Sequence, residues 1–433
     1  MEILVSDVEL EPLLIVSLWT AFVCFLTIRK LKDKRSQIMF FLLCVSVFIY
    51  SGYGISYPEV NNKYIISYML FLSCFALPFY VKGPGLKRES LQRKSDLDFF
   101  LERHRQFLKF CAYSYLLCLL IPLLYPEFRL FKVFQNGFEG LIGFYDLRVQ
   151  YKSNAIIGLV DTLRVFLCPL FFIYLTIVQN INPRTKKPIV FFLISVFFAY
   201  ARYSYMGRYQ MVINAILIYF ILSCVRGYTF KIKFKNLVYI AIGGMAAIPL
   251  LYAFIFIRQG NSVEDGGGFF NIAKMLIDSE AYYPIYYDHI LNSSFLKSQT
   301  PLTFILWLIF LPIPSVIWPS KPTLQSDAFT YSLTGMHYGD ANYSSSLPSV
   351  LGESFMYFGE QFYWVQALIM GFIVVFSIKY LLRHKCTNLL SLYLIVYVMS
   401  VGRGGAASYM STIVFGVLPI FFLDKFIRKP KKI

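Results

Sequence analysis

The sequence predicts an all-α polytopic integral membrane protein, and three observations predict it. Hydrophobic residues make up 57% of the 433 positions and only 15% are charged, against about 25% charged in average soluble proteins. The apolar residues do not follow amphipathic spacing. They gather in nearly uncharged blocks long enough for an α-helix to cross ~30 Å of hydrocarbon. Between the blocks lie basic clusters at 29–35, 82–109, 184–187, 226–235, 383–385 and 425–432, which hold most of the 41 Lys and Arg residues. Such clusters mark cytoplasmic loops. The net charge of +17 is therefore a topology signal and implies no nucleic-acid partner.

The clusters fix the threading of about eleven transmembrane helices. Span one, near 12–28, enters the cytoplasm at Arg29 and leaves the acidic N-terminus outside. Spans two to four, near 37–55, 64–81 and 107–124, put Lys82 to Gln106 inside. Span five, near 155–178, follows an outer loop, and spans six and seven, near 188–201 and 209–224, flank a short outer turn. Span eight, near 237–257, opens a large outer loop at 258–361. Spans nine to eleven, starting near 362, 388 and 407, lead to a basic cytoplasmic tail. The domain plan is thus 1–257, eight spans; 258–361, the loop; and 362–433, three spans and the tail.

One block departs from this scheme. Leu302 to Trp318 is apolar but is broken by Pro312 and Pro314. A full crossing there would invert the charge pattern downstream, so the block reads as a re-entrant or interfacial hairpin, tolerated where protein covers its backbone. The eight cysteines fall in spans or beside cytoplasmic ends, which implies no disulfide framework. The N-terminal run MEILVSDVELEP is acidic and does not begin as a cleavable signal peptide.

Function is expected where polar groups break the apolar pattern. Cations are few on the outer face but oddly placed: Arg148, Arg202, Arg208, Arg258, Lys321, and Arg403 among glycines between the last two spans. Arginine at a membrane edge is costly and calls for a partner or a functional anion. Single arginines snorkel to lipid phosphates or pair with acids, but a cluster of guanidinium forks suits a pyrophosphate. Glu353, Asp340 and His337 in the late loop are candidate proton acceptors, because partial burial raises a carboxylate's pKa toward neutrality. Tyr283, Tyr287, Tyr338 and Tyr357 offer ring faces for sugars, although Tyr also gathers at bilayer interfaces for purely structural reasons. No Walker-type phosphate loop occurs, and no Cys/His spacing suggests a metal.

These segments resemble a family. The GFYDLR run around Arg148, the turn ARYSYMGRYQ with Arg202 and Arg208, IPSVIWPSKP with Lys321, and LPSVLGESFMYFGEQF with Glu353 are similar to elements of the bacterial O-antigen polymerases of the Wzy type. These are oligosaccharide repeat-unit polymerases with many spans and one large late outer loop. The resemblance implies a GT-C-like fold in the bacterial inner (cytoplasmic) membrane, with the N-terminus and the large loop periplasmic and the C-terminus cytoplasmic. It implies transfer of a glycan from undecaprenyl pyrophosphate onto a second undecaprenyl-pyrophosphate-linked oligosaccharide, with no cofactor. Membrane lipid and a chain-length regulator are the implied partners. An O-antigen ligase or a flippase of the same lipid-linked oligosaccharide is the alternative reading.

Overall fold

The computed structural model describes residues 8–31, 34–82, 94–121, 187–202, 281–310, 325–337 and 346–383, with single residues between 156 and 186 and at 313, 318, 402, 404 and 405. Among the described residues the structure is helical, without strands. The chain divides into two compact units, Met1–Gln92 with Ile277–Ile413, and Arg93–Leu276 with Val414–Ile433.

In the first unit, α1 (Leu10–Lys30), α3 (Lys63–Lys82) and α10 (Ser349–Arg383) are built from the apolar blocks. Three described helices, Leu10–Lys30, Lys63–Val81 and Ser349–Phe376, are long and apolar enough to cross a membrane. Their packing explains why the apolar residues run all round. On α1, Val16, Thr20, Val23, Cys24 and Thr27 face the protein, while Leu14, Leu18, Phe22 and Phe25 stand exposed on the opposite side. An apolar stripe of that size is untenable in water and natural against acyl chains.

Side-chain pairings fix the directions of these helices. Thr20 Oγ1 lies 2.8 Å from the Tyr68 hydroxyl, Trp19 Nε1 donates to the Met69 carbonyl, and Lys30 Nζ sits over the Tyr80 ring. α1 and α3 therefore run the same way. Lys63 meets Glu360 at 3.3 Å, and Gly371 packs on Phe75 and Pro78. α10 therefore shares that direction too. Between α1 and α3, α2 (Lys34–Val47) returns antiparallel. Its Gln37 amide donates to the Ile28 and Leu31 carbonyls at one end, and Gly52 fits against Val16 and Tyr68 at the other.

α2 passes without a break into a π-helical turn, Phe48–Gly52, and a 3₁₀ turn, Tyr53–Ser56. A π turn carries an extra residue and re-aims the side chains beyond it. Gly54 in the second turn lets the backbone approach Ala281 and Pro284, where a Cβ would overlap the Ala281 carbonyl.

Short helices from the late loop cap this bundle: α6 (Tyr287–Asn292), α7 (Ser294–Lys297), α8 (Pro301–Phe310) and α9 (Gln325–Thr334). With ten residues, α8 spans about 15 Å, roughly half the hydrocarbon thickness. The Phe310 ring meets Trp318 edge-on at 5.0 Å. α10 starts at Ser349, well before the ninth span's expected start near 362. Its helix is interrupted at Gly359, where φ is 69° and ψ is −179°, a combination essentially confined to glycine.

In the second unit, α4 (Lys94–Leu120) packs with α5 (Lys187–Arg202). Tyr113 meets Phe191 edge-on at 5.9 Å, and Tyr115 lies 4.7 Å from Phe171. Phe107, Phe110 and Leu117 on α4 are exposed.

Candidate functional site

The first unit buries a polar group in an otherwise apolar core, at the start of α10. Ser349 opens the helix with φ of 62°, a left-handed conformation uncommon for a residue with a Cβ. Its hydroxyl oxygen accepts the Gly352 N–H at 3.3 Å, a helix-capping bond that satisfies one orphan donor. The same hydroxyl lies 3.0 Å from that of Tyr287. Gly352 makes room for this junction, since a Cβ there would press on Ile290, Pro348 and Tyr287. Burial pushes the Tyr287 phenol well above its ordinary range, against the opposing effect of its bond to Ser349. It stays a neutral hydroxyl at physiological pH.

Glu353 follows one turn later with no exposed surface. A carboxylate is almost never buried without a partner, because desolvation disfavours its charge. Gly405 supplies one of its covers. The backbone there is left-handed, with φ of 77°, and a Cβ would overlap the carboxylate of Glu353. Gly402, three residues earlier, is seated on α2 in the same way: a Cβ would stand 2.8 Å from the Ser46 carbonyl carbon and would overlap its hydroxyl. Gly402 and Gly405, both in helical backbone, thus meet α2 and α10 respectively. Ser46, Ser51, Ser349, Glu353 and Ser354 are all buried. Nearby, the Gln325 amide nitrogen lies 3.9 Å from the Met356 sulfur, and its buried Oε1 has no hydrogen-bond partner among the described residues.

A second cluster marks the head of α3. Lys63 Nζ lies 3.4 Å from Asp288 and 3.3 Å from Glu360, and the Tyr64 hydroxyl donates to Asp288 at 2.6 Å. These groups come from three stretches of sequence that the charge pattern assigns to the outer face.

The expected site residues fare unequally. Glu353 lies in the buried polar group, enclosed by protein. His337 is exposed and stacks on Tyr331, ring centroids 4.1 Å apart. Tyr283, Tyr287 and Tyr357 are corrected from sugar platforms to core residues: they are 3%, 0% and 9% exposed and pack on protein. Tyr287 meets Tyr64 and Phe355, Tyr283 meets Tyr50 and Tyr282, and Tyr357 meets Phe304. Arg202 ends α5 in the second unit, its side chain outside the described residues. Arg148, Arg208, Arg258, Lys321, Arg403, Asp340 and Tyr338 also lie outside the described residues. Sequence reasoning missed Ser46, Ser51 and Ser349. The recurrence of serine through span two and beside Pro348 was the available signal. Among the described residues no group of His, Cys, Asp and Glu is arranged to hold a metal.

Comparison with protein-family models, with curated proteins and with solved structures finds no match to this chain.

Proposed function

We propose that this chain is a lipid-pyrophosphate-dependent glycosyltransferase that polymerises oligosaccharide repeat units at the periplasmic face of a bacterial inner membrane. The bond between the donor glycan's anomeric carbon and the pyrophosphate oxygen breaks, and undecaprenyl pyrophosphate leaves. The acceptor sugar's hydroxyl oxygen forms the new glycosidic bond and gives up its proton to a base. The energy resides in the donor, so neither ATP nor a nucleotide sugar is needed. The chief demand on the protein is to stabilise charge developing on the departing pyrophosphate, for which preorganised arginines in a water-poor site are suited. Arg148, Arg202, Arg208, Arg258, Lys321 and Arg403 fill that role in this reading. Asp340 and His337 compete as base now that Glu353 is enclosed. Eleven spans, N-terminus periplasmic and C-terminus cytoplasmic, complete the proposal.

The observation that carries it is the contact of Gly405 with Glu353. It joins the late loop's Gly-Glu element to the glycine-rich segment in whose sequence Arg403 falls, two distant segments singled out by sequence. The shared direction of α1, α3 and α10 also supports the threading, which requires spans one, three and nine to enter from the same side.

The test is reconstitution of the purified full chain in proteoliposomes with undecaprenyl-pyrophosphate-linked repeat units. A ladder of lengthened lipid-linked glycans is expected, and its loss in Arg208→Ala or Arg258→Ala with normal membrane insertion. Single repeats unchanged by wild-type protein would overturn the proposal. Transfer to a lipid A core acceptor would identify a ligase, and movement of repeats between leaflets without lengthening a flippase.

A further inference from the structure

We infer that His289 is the general base of the transfer proposed above: its Nδ1 takes the proton of the acceptor sugar's attacking hydroxyl while Ser332 holds the other ring nitrogen; this rests on the glycosyltransferase reading. His289 Nε2 on α6 lies 3.2 Å from Ser332 Oγ on α9. The serine hydroxyl has a single proton, which goes to the Phe329 carbonyl at 2.7 Å. Its oxygen is therefore left to accept from the imidazole. Nε2 carries the hydrogen, and in the neutral ring Nδ1 carries the lone pair. Among the described residues the ring makes no other hydrogen bond. His289 is half-buried and so keeps a surface that Glu353 lacks.

The seat of the ring is firm. Its neighbours on α6, Tyr287 and Ile290, are fully buried, and Tyr287 is paired with Ser349. Three residues before His289, Tyr286 meets the buried Phe329 edge-on at 5.9 Å. The contacts 286–329 and 289–332 thus advance by the same step on both helices. A base whose far nitrogen is fixed by a third group on packed helices is preorganised for proton abstraction. Tyr331, beside Ser332, stacks on the exposed His337 at 4.1 Å and lies 5.1 Å from the exposed Phe295. The same short helices therefore also carry aromatic rings, with faces of the kind that sugar C–H groups pack on. As the acceptor oxygen bonds the anomeric carbon, the electron pair of the broken bond leaves on the pyrophosphate and the hydroxyl proton passes to Nδ1. The imidazolium keeps its Nε2–H on Ser332 and gives the added proton to water.

The experiment uses the full chain in proteoliposomes with undecaprenyl-pyrophosphate-linked repeat units. His289→Gln should lower kcat by about 100-fold or more, the scale of general-base catalysis. KM for the donor should change little, and the acidic limb of the pH–rate profile should vanish. Ser332→Ala should lower kcat by a smaller factor and keep the limb, and Ser332→Thr should restore the rate. The other charged or acid-titrating groups on α6 and the elements packed on it are Asp288, Lys63, Lys297, Asp327, His337, Glu353 and Glu360. An acidic limb that persists in His289→Gln belongs to one of these and overturns the inference, as does an unchanged kcat. Either result leaves the polymerase reading standing, whereas a wild-type chain that lengthens nothing removes both.

A second measurement needs no activity. The chain has four histidines, so labelling their ring nitrogens for NMR gives few signals, and those of His289 are assigned by their loss in His289→Gln. In the neutral ring the hydrogen should sit on Nε2, and Ser332→Ala should redistribute it between the two nitrogens. A hydrogen on Nδ1, or signals indifferent to Ser332→Ala, would sink the assignment whatever the enzyme does.

Discussion

Gly371 on α10 meets Phe75 on α3 with no room for a side chain: a Cβ at 371 would stand 2.5 Å from the Phe75 carbonyl oxygen and 2.9 Å from Pro78 Cγ. Small residues at such crossings let two helices gain dispersion contacts that lipid tails do not replace. Gly371→Leu should therefore force α3 and α10 apart and cost about 1–3 kcal/mol, the usual penalty of overpacking. Thermal unfolding in mild detergent would register it; an unchanged midpoint would argue against this crossing. Gly359→Ala is a useful contrast, since a Cβ there meets nothing and only the left-handed φ of 69° opposes it.

The pair between α1 and α3 predicts an asymmetry. Thr20 Oγ1 donates its one proton to the Val16 carbonyl at 2.7 Å, so the Tyr68 hydroxyl must be the donor in their shared bond. Both side chains are buried. Tyr68→Phe removes the donor and leaves Thr20 with its proton still bonded. Thr20→Val strands the Tyr68 hydroxyl in an apolar core. The second substitution should be the costlier, about 1–3 kcal/mol, against about 0.6 kcal/mol for an average interhelical hydrogen bond in a membrane protein. Equal effects in denaturant titrations would overturn the assigned proton direction.

Ser349 joins two functions, capping α10 and meeting Tyr287. Ser349→Ala should lower stability by about 1–2 kcal/mol, the range for a lost N-cap. Ser349→Gly should be milder, because glycine relieves the left-handed backbone while the cap is still lost. A double-mutant cycle with Tyr287→Phe would isolate the hydroxyl pair. A coupling energy indistinguishable from zero would remove it as a contributor.

Lys63 contributes less than its two ion pairs suggest. Its side chain is 42% exposed, and those of Asp288 and Glu360 are 51% and 57% exposed, so water and salt screen the charges. Lys63→Met should cost no more than about 1 kcal/mol, and the difference should shrink as salt is raised. A large, salt-independent loss would mean that a neighbour buries this cluster further.

Much of the helical layout was legible because hydrocarbon thickness imposes a length on apolar blocks. The expected spans at 12–28, 64–81 and 188–201 sit inside Leu10–Lys30, Lys63–Lys82 and Lys187–Arg202. The ninth span was misjudged at its start. Glu353 and Gly359 look like loop residues to a hydropathy reading, yet Ser349 to Phe358 is helix covered by protein. Charge alone does not say whether a carboxylate meets water or a glycine backbone. The tyrosines misled for a related reason. Aromatic enrichment at an interface looks the same from sequence whether rings face sugar, lipid or one another, and Tyr287 faces Phe355 and Tyr64. Of the buried polar group, only Glu353 and the glycines around Arg403 stood out. Serine carries too little signal in an apolar block, and the link from Ser46 to Gly402 spans most of the chain.

Helices pointing the same way impose parity on whatever joins them. The foot of α1 can reach the head of α3 only by an odd number of traverses, and α2 is that one. The same rule ties α10 to α3. A contact as remote in sequence as Lys63 with Glu360 holds their heads at one end of the bundle, so whatever joins Lys82 to Ser349 must bring the chain back to the end at which α3 began.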